Sequence, residues 1–482
     1  MIYKDLESIK EARDLLKKTY NAWEKFRNFS SQSIQKILEN IKDKALENAE
    51  YLAKLAHEET GFGIIEDKIK KNQFAAQNVY EDIVKQKTIG IIKKDEVNKI
   101  IEIAVPMGVI AAIIPSTNPT STTIYKALIA IAGRNGIVFS PHPSAKRSIF
   151  ETARILEEAA IEAGAPEGII SCMANPTIEG TTELMKNELT ALILATGGEG
   201  LVRAAYGSGK PAYGVGPGNV PVYLDKSCDI KSAVKSVIIG KTFDNGTICA
   251  SEQSIVVHKE IHEKVVEEFK NENCYFLNEE EKSKLEKIIL QNGKINPKIV
   301  GKSASSIAEM AGLNVPKNSK ILIAFEEKVG KEIPFSREKL SPLLAFYVVS
   351  NWEEGCQRCM DLLKNGGMGH TLVIHSRDDE IVMKFSLEKP AFRILVNTPA
   401  SLGAIGLTTS LTPSLTLGCG TYGNNITTDN ITAKHLINIK RVAFDCSNFC
   451  EFKSITEEKT PEIDKEKIRS IVKEILEDIL KK

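Results

Sequence analysis

From Val109 to Leu224, short apolar runs alternate with helical patterns, and few folds accept that order. The runs at 109–114, 136–139, 168–172, 191–195 and 221–224 are too short for helices and apolar throughout, as strands buried on both faces are. Helical spacing lies between most of them, as at 148–163. Strands separated by helices pair in parallel, because a tight turn joins only antiparallel neighbours. The expected class is therefore α/β, an open and mostly parallel sheet with helices on both faces. A second unit of the same kind follows from about residue 229. Its strand candidates are 254–257, 321–324, 343–349, 371–375 and 394–397.

The flanks read differently. Leu6, Ile9, Ala12, Leu15 and Leu16, then Ile34, Ile37, Leu38 and Ile41, recur at helical spacing. Residues 88–92 and 100–104 read as a β-hairpin around a charged break. A last strand at 437–444 closes the body, and a polar stretch follows. Ile468, Ile471, Val472, Ile475, Leu476, Ile479 and Leu480 then form one apolar stripe on a helix.

Charge and hydropathy exclude some functions. Sixty-three basic residues balance sixty-three acidic ones, whereas a nucleic-acid surface needs a basic excess to release counterions. The most apolar run, 105–115, is interrupted by Gly108 and ends at Pro115, short of the ~20 residues of a membrane span. The first residues carry acids and no apolar core, unlike a secretory signal. Nine scattered cysteines form no disulfide framework, so a reducing cytoplasm is the expected compartment.

Chemistry concentrates in a few turns. In Phe243-Asp-Asn-Gly-Thr-Ile-Cys-Ala-Ser-Glu-Gln253 a glycine turn presents Cys249 just before a strand. A thiol held there would attack a carbonyl, given a dipole or cation to favour the thiolate. A small buried hydrophobe is the alternative. In Ile113-Ile-Pro-Ser-Thr-Asn-Pro-Thr120 two prolines stiffen the backbone around Asn118, which reads as an oxyanion donor or as a turn asparagine. Ala195-Thr-Gly-Gly-Glu-Gly200 lies between a strand and a helix, where phosphates bind, although it is not G-x-G-x-x-G. Tyr213-Gly-Val-Gly-Pro-Gly-Asn219 reads as a glycine loop before the next strand.

These motifs, in this order, resemble the CoA-acylating branch of the aldehyde dehydrogenase superfamily over nearly the whole chain to about Phe444. Thr-Leu-Gly-Cys-Gly at 416–420 belongs to the same set. The resemblance implies a Rossmann-like cofactor domain at 1–224, with a hairpin arm near 88–104. It implies a catalytic domain at 225–425, an arm strand at 426–445 and a homo-oligomer, dimer or tetramer; the hairpin and the last strand are expected to pair across a dimer, since edge strands seek partners. Residues 446–462 would be a linker and 463–482 an amphipathic tail helix.

The resemblance also implies roles. Cys249 adds to a short-chain aldehyde, while Asn118 and the Cys249 N–H hold the oxyanion. NAD accepts hydride, and coenzyme A takes the acyl group from the resulting thioester. Ser116, Thr117, His142, Pro143, Thr196, Gly197, Gly198, Glu338 and Pro342 would bind the cofactor. Glu338 would hold the nicotinamide ribose, and Thr196–Gly198 would lie near the pyrophosphate. His142 stands where hydrolytic relatives carry lysine. His370 is read as orienting cofactor, as accepting a proton, or as a structural histidine. Hydrolytic relatives use a glutamate in Glu-Leu-Gly-Gly to activate water. The stretch here, Gly214-Val-Gly-Pro-Gly218, has no carboxylate, which suits transfer to a thiol.

Acetaldehyde or propanal is the expected substrate, with succinate semialdehyde and butanal as alternatives. The tail resembles the encapsulation peptides of bacterial microcompartment enzymes, so shell proteins are expected partners. Packing on its own body or on a sister subunit is the alternative. Cys356-Gln-Arg-Cys359 has no second pair for zinc, and no metal site is expected. Rival functions are a water-using aldehyde dehydrogenase and an inactive scaffold.

Overall fold

The computed structural model describes residues 2–445 and, beyond them, Ser470 and Lys473, both helical and exposed. The expected linker at 446–462 and the apolar stripe of the tail lie outside the described residues. The first strands are β1 Gly90–Asp95 and β2 Ile100–Pro106. They share a three-stranded sheet with the last strand, β17 Ile437–Ala443, in the order β1-β2-β17. Thus β17 joins the hairpin within one chain, where the sequence reading had expected pairing across a dimer. The geometry is local: Phe444 N–H reaches the Lys99 carbonyl, and Arg441 pairs with Glu102.

The alternating segments form two larger sheets. The first contains β3 Val109–Ile114, β4 Gly136–Pro141, β5 Ile170–Cys172, β6 Thr190–Thr196 and β7 Ala212–Val215. Its order is β5-β4-β3-β6-β7, parallel throughout. Every residue of β3 and β4 is buried, each large side chain contributing about 1.5–3 kcal/mol on leaving water. The helix Pro119–Ala132 is buried at every position, its polar Thr120, Ser121, Thr122, Thr123 and Lys126 included. Its Lys126 points into the core and donates to the Ile113 and Leu194 carbonyls, tying together the carboxyl ends of β3 and β6. β7 falls where the sequence reads as a glycine loop, because Gly214 and the glycines after it hide the strand pattern.

The second sheet takes β8 Val220–Leu224, β9 Glu252–His258, β10 Tyr275–Phe276, β13 Leu322–Phe325, β14 Leu343–Val349, β15 Gly369–His375 and β16 Ala391–Val396. A small hairpin, β11 Leu290–Gln291 with β12 Lys294–Ile295, lies outside it. The order is β10-β13-β14-β9-β8-β15-β16, again parallel. Here the expected domain boundary at residue 224 needs correction. β8 pairs with β9 and β15, so the chain crosses between sheets at Gly216–Asn219. Both sheets belong to one compact unit, residues 2–92 with 103–440.

Candidate active site

In the first sheet the strand order reverses between β3 and β6, so the loops after them diverge and leave a crevice at their carboxyl ends. The second sheet meets this crevice with its amino ends. Gly218 lies just before β8, Cys249 just before β9 and Glu338 before β14, while His370 is the second residue of β15. A cavity of about 670 Å³ results. Ser116, Thr117, Asn118, His142, Pro143, Thr196, Gly197, Gly198, Cys249 and Glu338 all line it.

Asn118 is the N-cap of the helix Pro119–Ala132, yet its side chain makes no cap bond. Its Oδ1 accepts from Lys71 Nζ at 2.6 Å, and its Nδ2 donates only a long 3.3 Å bond to Thr117 Oγ1. The amide is therefore turned with its donor side uncommitted. Lys71 lies in the helix Ile65–Gln73 and was not singled out in the sequence.

Cys249 follows a strained turn in which Asp244 and Asn245 both take φ of +51°. The Asp244 carboxylate holds this turn, accepting from Ile64 N–H, Thr247 Oγ1, Lys68 and Lys71. Burial pushes the Cys249 thiol up to about 12, and the neighbouring Glu338 adds to the rise. Arg393 and the cysteine's own N–H oppose it. Arg393, in β16, is a second residue missed in the sequence. Its guanidinium donates to the Gly418 and Thr428 carbonyls and to Asn430, leaving a buried Nε without a partner. Cys419 sits in its field, its thiol raised by burial to about 11.

Burial likewise raises the Glu338 carboxyl to about 7, while it accepts from Gly218 N–H at 3.1 Å. Gly218 is required there: a Cβ would lie 2.2 Å from the Cys249 carbonyl and 3.3 Å from the His370 ring. His370 thus flanks the Cys249 backbone without lining the cavity. Burial and Arg393 lower its pKa to about 3, so the ring is neutral. Its Nδ1 bonds Thr371 Oγ1, and its Nε2 is buried and unpartnered.

Pro342 departs from expectation. It is buried outside the cavity, with its carbonyl accepting from Leu322 N–H, so it serves sheet packing. Leu340, two residues earlier, does line the cavity and holds a left-handed φ of +47°, the kind of strain that collects at functional sites. The residues also fit a dinucleotide. Thr196 Oγ1 is buried without a partner. Gly198, N-cap of the helix Glu199–Tyr206, has no side-chain cap and only open space where a Cβ would stand. Among the described residues no group of three or more His, Cys, Asp or Glu assembles for a metal, and no helix is long and apolar enough to cross a membrane. Cys356 instead contacts Glu388 and Lys389.

Two parallel sheets meeting over a half-buried thiol and an amide define a class, and comparison gives it a name. The model of the aldehyde dehydrogenase family matches residues 5–276, and the chain belongs to that family. An aldehyde-alcohol dehydrogenase of Clostridium acetobutylicum is 46% identical over 92% of this chain, which spans about half, 52%, of that relative. The succinate-semialdehyde dehydrogenase (acetylating) of Clostridium kluyveri is 37% identical over 90% of this chain and 95% of its own. Among solved structures, an acetylating aldehyde dehydrogenase from Geobacillus thermoglucosidasius superposes with a TM-score of 0.92 at 55% identity, covering 93% of this chain and 99% of that one. Two others, each 26% identical with a TM-score of 0.82 over 90% of this chain, carry ligands. Rhodopseudomonas palustris propionaldehyde dehydrogenase, covered to 97%, holds CoA and an acylated cysteine, and an engineered glycolyl-CoA reductase, covered to 96%, holds NADP+.

Proposed function

We propose that this chain oxidises a short, uncharged aldehyde with NAD and transfers the acyl group to coenzyme A. The observation that carries this reading is the shared cavity of Cys249 and Asn118, with no carboxylate in the Gly214–Gly218 stretch beside them. The relatives named as acetylating enzymes support it.

Cys249 gives its thiol proton to solvent water, its Sγ adds to the aldehyde carbon, and the carbonyl oxygen becomes an oxyanion. Asn118 Nδ2 and the Cys249 N–H hold that charge, one such donor being worth ~10²–10³ in rate. A nicotinamide held in this crevice would supply the hydride acceptor, and the acyl group would then remain on Cys249 as a thioester. The thiol of coenzyme A then attacks the thioester, its proton passes to the departing Cys249 sulfur, and acyl-CoA leaves. Ser116, Thr117, Thr196, Gly197 and Gly198 would hold the dinucleotide, with Glu338 toward the nicotinamide ribose and His142 with Pro143 toward the adenosine end. His370, neutral at all working pH values, orients groups and is a poor base.

Two absences among the cavity's lining refine the choice. Among the described residues that line it there is no lysine or arginine. A succinate semialdehyde carboxylate would lack a partner there, so acetaldehyde or propanal is favoured. An NADP 2′-phosphate would lack one too, so NAD is favoured. The chain works in the cytoplasm as a homo-oligomer. Its tail stripe at 463–482 docks on the shell protein of a microcompartment, as an amphipathic helix enters an apolar groove.

The test measures NADH from propanal with and without coenzyme A, in wild type and in Cys249→Ala. CoA-dependent formation that vanishes in the variant is expected. Undiminished turnover to the free acid without CoA would overturn the acylating assignment.

A further inference from the structure

Lys71 is buried to 2% exposure among groups that account for all three of its protons. Its Nζ donates to Asn118 Oδ1 at 2.6 Å, to Asp244 Oδ2 at 2.6 Å and to the Thr247 carbonyl at 3.0 Å. The Phe243 ring lies 5.4 Å away. Two of these acceptors belong to the turn that leads into Cys249, and the third is the amide across the cavity. An ammonium has three donors and no acceptor. The amide of Asn118 therefore has one acceptable orientation toward it, oxygen inward, and the flipped amide would set N–H against N–H.

We propose that Lys71 is a positioning residue of the oxyanion site. By binding Oδ1 it aims Nδ2 of Asn118 at the aldehyde oxygen, and by binding Asp244 and Thr247 it holds that amide in register with the Cys249 N–H. The proposal rests on the functional reading above, which gives Asn118 its task. Lys68 serves as an internal comparison, since it also bonds Asp244 Oδ2, at 3.0 Å, but has no bond to Asn118. Gly63 belongs to the same arrangement, because a Cβ there would fall 1.8 Å from Asp244 Oδ1.

A double-mutant cycle tests the proposal, with Lys71→Met, Asn118→Ala and their combination assayed for CoA-dependent NADH from propanal. Lys71→Met should lower kcat by ~10²-fold, the scale of a misplaced catalytic group, with KM for propanal nearly unchanged. In the Asn118→Ala background the same change should cost less than about threefold, because groups acting as a unit are not additive. The rate of Cys249 alkylation by iodoacetamide should stay near wild type in Lys71→Met, since alkylation needs no oxyanion donor. Lys68→Met should lower thermal stability while kcat stays close to wild type. If Lys71→Met does not fold, Lys71→Arg keeps a cation against Asp244 while displacing the bond to Asn118, and enters the same cycle. Fully additive losses in an otherwise active enzyme overturn the role of Lys71 alone. A wild type that makes no NADH from any aldehyde overturns the functional reading instead.

Discussion

Cys249 sits between opposing neighbours. Burial and Glu338 push this thiol up to about 12, so the resting enzyme holds it as the neutral thiol, whereas the proposed attack needs the thiolate. Arg393 pulls the other way. Iodoacetamide should therefore modify the free enzyme faster as pH rises, by about tenfold per unit between 7 and 9, because only the thiolate reacts. Glu338→Gln removes a negative neighbour and should raise the rate at pH 8. Arg393→Met removes a positive one and should lower it. A rate that levels off near neutrality would show a thiol already activated in the resting enzyme.

Loops at strand ends do the selecting, and their glycines separate two kinds of necessity. Gly218 closes against the protein itself, since its missing Cβ would strike the Cys249 carbonyl. Gly198 closes against nothing in the protein. Gly218→Ala should cost stability on the overpacking scale of about 1–3 kcal/mol, read as a lower Tm, and reduce kcat. Gly198→Ala should leave Tm unchanged and raise KM for NAD, because the added methyl enters the space proposed for the dinucleotide. If Gly198→Ala leaves NAD kinetics untouched, the cofactor lies elsewhere in the crevice.

Assembly rests on surfaces that the fold leaves open. In the arm sheet β1 and β17 are edges, and edges offer unpaired backbone groups to another chain. Val97, Ile439, Val442 and Phe444 are exposed there. Sedimentation should show a dimer or tetramer, and Ile439→Asp with Val442→Asp should shift it toward monomer. An unchanged sedimentation coefficient would put the interface somewhere else. Removal of everything after Glu462 should leave turnover intact and abolish co-purification with a co-expressed shell protein. Retained shell association would sink that assignment for the tail.

The α/β class, the parallel strands and the cavity's main residues were legible in the linear chain. Strand periodicity depends on neighbours one or two positions away, and the site motifs are contiguous stretches flanking strands. The turns that carry Cys249, Asn118 and Thr196 are visible locally, whereas the roles of these residues, and the choice of Glu338, come from the family resemblance of those stretches. Lys71 and Arg393 stand out in neither way: a lysine in the charged helix Ile65–Gln73 reads as solvated, and an arginine in β16 reads as an edge charge. Their burial depends on which elements pack over them, and that is decided by contacts across 47 positions from Lys71 to Asn118 and 173 from Lys71 to Asp244. The sheet to which β8 belongs, the pairing of β17 with β2, and the place of Pro342 outside the cavity are likewise outcomes of long-range packing. Local pattern chose the elements and the reactive groups, and tertiary contact chose the dielectric and the charges that govern them.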